Sequence, residues 1–280
     1  MAQVNNTTAA VMIPESWYKD VQFARDDNFV AASLVERKYE SDLKVGDTVN
    51  MPFIANLTTE AISSGSDLTP VANTETEVSL VVNQFKGVAV EIFDQTKYQS
   101  KYDLDKAYSN RIGQALAEDV DTAILAEAQN LAGVYDPAAV AAVTYDDIVD
   151  RVAVLDAANV PQSDRFMIVN AVTLGDLRKD ANFIRYDSTG EKAAHLQGGG
   201  VGAIGEIYGI KVYLSNNVQT DTSYVNIIAH KSWMALAIQA KPDMEMHRNP
   251  LGSATYLIGR VLYGLKEIRA DHAITLRRTV

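Results

Sequence analysis

The chain has 280 residues, 47% of them hydrophobic, with no cysteine and a formal net charge of -11. That length supports one large domain or two moderate ones, and the missing cysteines exclude disulfides, thiolate metal sites and cysteine nucleophiles. The acidic balance argues against a dedicated nucleic-acid binder, which needs clustered Lys and Arg, and no apolar stretch approaches the roughly 20 residues of a membrane span.

The first residues show no basic region followed by an apolar core, so no signal peptide is expected. Asn5, Asn6 and Asn56 each sit in an N-x-[ST] pattern, which without a secretory signal is read as chance. Residues 1–20 are polar and small apart from Val11, Met12, Ile13, Trp17 and Tyr18. They read as an arm that must lie against something, with a short helix starting at Pro14 and Glu15. Residues 21–46 carry Phe23, Phe29, Val30, Leu34 and Val35 at rough helical spacing.

Segments 47–54, 76–82 and 86–93 alternate apolar and polar residues and predict three strands. Between the first two lie residues 55–75, dominated by Thr, Ser, Asn and acidic groups. So long a connection is uncommon inside a compact domain, and it carries too little apolar surface to order itself. A two-stranded flap tipped by such a loop is marginal alone in water, so outside support is expected.

Residues 103–131 predict one long helix, about 40 Å at 1.5 Å per residue. Leu104, Tyr108, Ile112, Leu116, Val120, Ile124 and Leu131 form its apolar stripe, Asp103 is the expected N-cap and Gly133 the closing glycine. Glu118, Asp119, Asp121 and Glu127 are expected on the wet side. Thr144 and Asp147 set up a capping box for a second helix with Ile148, Val152 and Leu155 inward, stopped by Asn159 and Pro161. Residues 165–169 read as a short buried strand and 171–177 as the opening of a third helix. Residues 207–214 alternate with period two and read as a strand, which is placed at 210–214 in the chain order. Further strands are predicted at 224–229, 233–238, 244–247, 255–264 and 273–276. Helices and strands mix without a regular βαβ repeat, which gives an α+β class.

Candidate chemistry is sparse. Gly200, Gly202 and Gly205 spell G-x-G-x-x-G, but polar residues precede the cluster and a strand pattern follows it. A dinucleotide site needs the reverse, a buried strand leading into the glycines and a helix leaving them, so a dinucleotide-binding enzyme at 200–205 fails on context. His195, His230, His247 and His272 are scattered, without metal-ligand spacing. Asp146, Asp147 and Asp150 cluster at a helix start, where the macrodipole alone accounts for acids. Lys97, Lys101 and Lys106, interleaved with Tyr98 and Tyr102, read as a solvated helix start, and Arg277–Arg278 is too short a run to assign. No G-x-S-x-G elbow and no Walker loop is present. No catalytic, cofactor-binding or metal residue is assigned, and no cofactor is expected.

The order of parts resembles the major capsid proteins of tailed bacteriophages, the Hong Kong 97-type coat fold. Two local segments carry the likeness. Residues 155–161, Leu-Asp-Ala-Ala-Asn-Val-Pro, lead into the strand 165–169. Gly205, Gly209, Val212, Ser215 and Asn216 match a G-x-x-x-G-x-x-V-x-x-S-N pattern of such coat proteins. The resemblance implies an N-terminal arm at 1–46, an extended loop and the start of a peripheral domain at 47–93, and the peripheral domain with its spine helix at 94–143. An axial domain at 144–244 and return strands at 245–280 complete it. It implies a non-catalytic protein that self-assembles through hexamers and pentamers into an icosahedral virion shell around phage DNA. Assembly is expected in the host cytoplasm, with only weak non-specific DNA contact and no membrane. A separate scaffolding protein, a portal and a decoration protein are the other partners it implies. The type member carries a long, later-cleaved scaffolding segment, whereas a short arm opens this chain, so scaffolding is expected from a separate protein or not at all. Lys44 lies near the loop base, but no acceptor Asn or catalytic acid matches, and cross-linking is not expected. An encapsulin-like nanocompartment shell is the alternative use of the same fold. On this reading Gly198–Gly202 form an axial-domain loop, and Gly205 and Gly209 permit the backbone geometry that launches the following strand.

Overall fold

The computed structural model describes residues 30–44, 46–54, 57, 59–61, 67, 75–131, 139–179, 203–218, 220 and 222–280. The arm residues 1–29 with their expected helix, most of the 55–75 connection, Gly133, His195 and the glycines at 198–202 lie outside those residues.

A short helix, α1 (Ala31–Leu34), and a 3₁₀ segment (Lys38–Lys44) precede the antiparallel strands β1 (Thr48–Ile54) and β2 (Glu75–Val81). Strand β3 (Gln84–Phe93) then runs into helix α2 (Asp94–Gln99) and helix α3 (Leu104–Glu127). Of the 21–46 segment, only these two short helical pieces are helical among the described residues. Helix α3 is 24 residues long, about 36 Å, and a 3₁₀ turn (Ala128–Asn130) ends it. As expected, the Asp103 side chain accepts from the Lys106 N–H, and Ile112, Leu116, Val120 and Ile124 are buried. Two expectations for this helix are corrected. Tyr108, placed in the apolar stripe, is exposed, while Asp121, placed on the wet side, is fully buried.

The stripe packs on a three-stranded sheet of order β3-β9-β8, where β8 is Met234–Asn249 and β9 is Ala254–Glu267. Gly259 on β9 makes that seat possible. A Cβ there would run into the Ile112 Cγ2 methyl group and lie 3.1 Å from Leu116 Cδ1. The two strands read at 233–238 and 244–247 are one long strand in the structure. The register slips between Ile238 and Ala240 and again between Ala240 and Asp243, so Pro242 falls in a bulge where its missing N–H costs no ladder bond.

The second half begins with helix α4 (Tyr145–Ala157), capped as predicted: the Asp147 N–H donates to Thr144 Oγ1, and the Thr144 N–H donates to the Asp147 carboxylate at 2.9 Å. Strand β4 (Arg165–Val169) and helix α5 (Ala171–Lys179) follow. Strands β5 (Ala203–Ile207) and β6 (Ile210–Leu214) come next, then β7 (Ser223–His230) and, at the chain end, β10 (Ala273–Thr279). They form a five-stranded sheet of order β10-β7-β4-β6-β5, antiparallel except for the β4–β6 pair. The continuous apolar run of β4 is explained by burial on both faces. Phe166 and Ile168 join the core beneath α3, whereas Met167 and Val169 join a second core with Ile148 and Leu155 of α4 and Leu174 and Leu177 of α5.

The strand placed at 210–214 is β6, while the alternation from 207 onward spans two strands rather than one. They form a hairpin whose turn, Tyr208–Gly209, has φ of 51° and 75°, the positive values that a tight two-residue connection requires. Gly209 thus supplies the geometry expected of it, while Gly205 lies inside β5.

A candidate assembly surface

Among the described residues, strands β1 and β2 pair only with each other, from Thr48 opposite Val81 to Ile54 opposite Glu75. Their inner face holds Val49, Met51 and Phe53 with Val78 and Leu80. At the base, Met51 and Leu80 are buried with Leu43, Ala235 and Ala237. The root is pinned by Gln239 Nε2, which donates to the carbonyls of Leu43 (2.9 Å) and Gly46 (2.8 Å). Gly264 lets β9 pass beneath, because a Cβ there would strike the Val81 carbonyl oxygen. Arg269 lies over the Phe53 ring, 5.9 Å from its centroid. Beyond this footing the apolar content meets solvent: Ile54 is 69% and Leu57 65% exposed.

Behind the arm, Asp121 ties together three segments that the sequence separates widely. Its carboxylate accepts from the Ala31 N–H at 2.7 Å, from Ser215 Oγ at 3.3 Å and from Asn217 Nδ2 at 3.3 Å. Burial pushes this carboxyl above its ordinary value, and the three donors pull the other way. Ser215 of the coat-like motif is therefore explained: it is buried after β6 and joins the five-stranded half to α3. Asp119, two residues earlier and on the other side of the helix, accepts from the Tyr263 hydroxyl at 2.7 Å; burial first, then this bond, raises the phenol so that it stays a donor.

A cleft of about 540 Å³ separates the root of β1 from the body, with Glu36, Lys38, Asn50, Phe53, His230 and His272 among its walls. Two histidines read as scattered meet here. Their rings are 5.6 Å apart, and Ser232 Oγ lies 2.8 Å from His230 Nδ1 and 2.7 Å from His272 Nδ1. The Ser232 N–H also donates to His230 Nδ1, which makes that nitrogen the acceptor, so the neutral triad has His272 Nδ1–H donating to Ser232 Oγ. Burial lowers the basicity of both rings. His247 is exposed on β8. Among the described residues no three His, Asp or Glu gather as a metal site. Asp147 is engaged in its capping box with Thr144. Gly205 is followed by a strand, not a helix, so it supplies no phosphate cradle.

At the far end of the β3-β9-β8 sheet, α2 was not anticipated, because Asp94–Gln99 has no apolar period to mark it. Arg248 grips Asp94 through two bonds of 2.6 and 2.7 Å and holds that carboxyl below its ordinary value. Lys97 pairs with Asp105 at 2.7 Å. Around these pairs Phe93 is 51% and Tyr98 89% exposed, and Lys101 and Lys106 face solvent.

No helix among the described residues is long and apolar enough to cross a membrane. The Phage capsid protein family matches residues 75–267. No curated protein matches the sequence. Among solved structures, a chain from Mycobacterium phage Che8 superposes with a TM-score of 0.80 at 26% identity, covering 94% of this chain and 96% of that one. The capsid structure of cyanophage P-SCSP1u gives 0.76 at 20% identity, covering 99% and 97%. The head structure of Helicobacter pylori bacteriophage KHP40 gives 0.72 at 13% identity, covering 99% and 98%. With an exposed two-stranded arm, a long helix seated on a three-stranded sheet and a five-stranded second half, the chain belongs to the phage capsid protein family, a major capsid protein of the Hong Kong 97-type fold that forms the virion shell.

Proposed function

We propose that the chain is the repeating, non-catalytic subunit of an icosahedral shell, grouped as hexamers and pentamers, with the β1–β2 arm lying over a neighbour. The observation that carries this reading is the arm itself. A two-stranded ribbon is marginally stable at best in water, yet this one projects Ile54 and Leu57 beyond its buried root. Burial against another copy removes that cost, and repetition over many contacts turns modest interfaces into a stable shell.

The domain roles follow. The peripheral part takes the spine helix α3 with β3, β8 and β9, and the axial part at the capsomer centre takes α4, α5 and the five-stranded sheet. So β8 from Met234 goes to the peripheral part and β10 to the axial one, unlike the bounds 144–244 and 245–280 expected from the sequence. The net charge of -11 keeps packaged DNA mobile, with only weak non-specific contact. Assembly in the host cytoplasm, with a separate scaffolding protein and with portal and decoration proteins as partners, fits the same reading. The test is electron microscopy of the purified chain, with and without co-expressed scaffold, beside a variant lacking residues 58–73. Shells from the intact chain and soluble, folded, unassembled subunits from the deletion are expected. Normal particles from the deletion, or a strictly monomeric intact chain with and without scaffold, would overturn the proposal.

A further inference from the structure

We infer that Ser232, held between His230 and His272, is a proton-operated latch on the connections that join the two halves of the subunit, and that protonation of His230 in particular releases it. The inference concerns the single subunit and stands apart from what covers the arm. The chain passes from the five-stranded sheet to the three-stranded one through the Lys231–Trp233 turn between β7 and β8, and it returns through the Ala270–His272 turn between β9 and β10. The two connections are fastened to each other. The Trp233 carbonyl accepts from the Ile268 N–H at 2.8 Å and from the Arg269 N–H at 3.2 Å, and Ser232 Oγ bridges the two imidazole rings. The fastening continues into β8, where the Glu36 N–H donates to the Met234 carbonyl and the Leu236 N–H to the Glu36 carbonyl. A change in the first turn therefore reaches both sheets and the Glu36 wall of the cleft.

The two rings are not equivalent. His272 donates its Nδ1–H to Ser232 Oγ, so the proton it can still take goes to Nε2 and leaves that bond in place. His230 is the opposite case. Its Nδ1 accepts from Ser232 Oγ at 2.8 Å and from the Ser232 N–H, which caps the turn, at 3.2 Å, so a second proton has to enter at Nδ1 itself. The Ser232 N–H then faces another N–H and loses its acceptor, and the hydroxyl has to turn to accept from both rings. The cap of the Lys231–Trp233 turn is gone. His230 is only half-buried and lines the cleft, which gives the proton a path from solvent.

The charged groups around the triad nearly cancel. Asp164 and Arg165 stand at the start of β4, Glu36 with its partner Lys38 and Asp42 line the cleft, and Arg269 and Asp271 belong to the second turn. Three cations (Lys38, Arg165, Arg269) thus meet four acids (Glu36, Asp42, Asp164, Asp271), and the hydrogen bonds at Nδ1 decide what the proton does. Burial keeps both rings less basic than an ordinary histidine, so the latch is closed at neutral pH and opens below about 6.5.

The test uses the full chain as soluble subunits. The chain has no cysteine of its own, so a spin-label pair is placed at Ser41→Cys and Gln162→Cys, exposed positions next to the cleft residues Asp42 and Pro161. Between pH 8 and pH 5.5 the ratio of longer to shorter label distances is expected to rise about tenfold, which corresponds to a one-pH-unit difference in His230 proton affinity between the released and the latched turn. Over the same range the protection of the Ser232 amide against hydrogen exchange is expected to fall about tenfold, the worth of one hydrogen bond. His230→Asn keeps an acceptor near the Nδ1 position but cannot take the proton, so both responses are lost, whereas His272→Asn retains them. Should a variant fail to fold, nitrogen NMR of the histidine rings in the parent at pH 8 decides, with His230 expected as the Nε2–H tautomer and His272 as the Nδ1–H tautomer. The opposite tautomers, label distances that do not change with pH, or a response that survives His230→Asn or vanishes with His272→Asn, overturns the latch.

Discussion

Asp121 is the residue whose removal should reveal most about how the two halves are joined. Asp121→Ala deletes the acceptor for three donors and strands the Ala31 N–H in a site with no solvent access. An unsatisfied buried donor costs about 1–3 kcal/mol, and bonds to an ionised group are worth about 1.5–3 kcal/mol each. The carboxylate's own burial cost, visible in its raised proton affinity, offsets part of this. A net loss of about 3 kcal/mol follows, which with a urea slope near 3 kcal/mol/M moves the midpoint down by about 1 M. Asp121→Asn keeps an acceptor for Ala31 but sets one amide against that of Asn217, and about half the loss is expected. The readout is urea unfolding of the soluble full-length chain followed by the fluorescence of Trp233, which is buried in the same core. The pH dependence has a definite sign. Because the folded carboxyl binds its proton more tightly than the unfolded one, the native state holds more protons above the unfolded value of about 4. Asp121 therefore makes stability fall as pH rises from there through the folded value, and the Asn variant lacks that component. A midpoint for Asp121→Ala within about 0.2 M of the parent would refute the reasoning.

Two further outcomes are expected. Gly259→Val forces branched carbon into the space of Ile112 and Leu116 and should cost about 2–3 kcal/mol, read as a lower melting temperature; an unchanged value would mean α3 is not seated through this glycine. His230 and His272 bind protons less tightly when folded, so the unfolded chain takes up more of them as pH drops through about 6.5. Their contribution is present above that value and is lost below it, down to the folded values. A chain with both changed to Gln should show a flatter stability profile between pH 7 and 5, and an identical slope would exclude the pair as its source.

The glycine pattern illustrates how far local spelling can mislead and how local context corrects it. Gly200, Gly202 and Gly205 match a phosphate loop as letters, yet the strand that follows was readable from alternation, and it is a strand that follows Gly205 in the structure. The candidate surface was only half legible. The unsupported flap could be seen in 47–82, whereas the surface around α2 depends on a helix with no apolar period, on Arg248 of β8 reaching Asp94 and on Lys97 of α2 reaching Asp105.

By itself the sequence determined what a few neighbouring residues can decide. The Asp103 cap, the Thr144–Asp147 box, the α3 stripe at Ile112, Leu116, Val120 and Ile124, and the unbroken apolar run of β4 all follow from side chains within a turn or two of one another. Tertiary structure decided the rest. Asp121 sits among Glu118, Asp119 and Glu127 in the letters, but its burial depends on donors arriving from Ala31, Ser215 and Asn217, each about 90 or more residues away. His230 and His272 share Ser232 only because a 3₁₀ turn (Lys231–Trp233) and another (Ala270–His272) pack together. The cost of burying a polar group is set by the partners that meet it, and in this chain those partners come from distant segments that only the folded topology brings into hydrogen-bonding range.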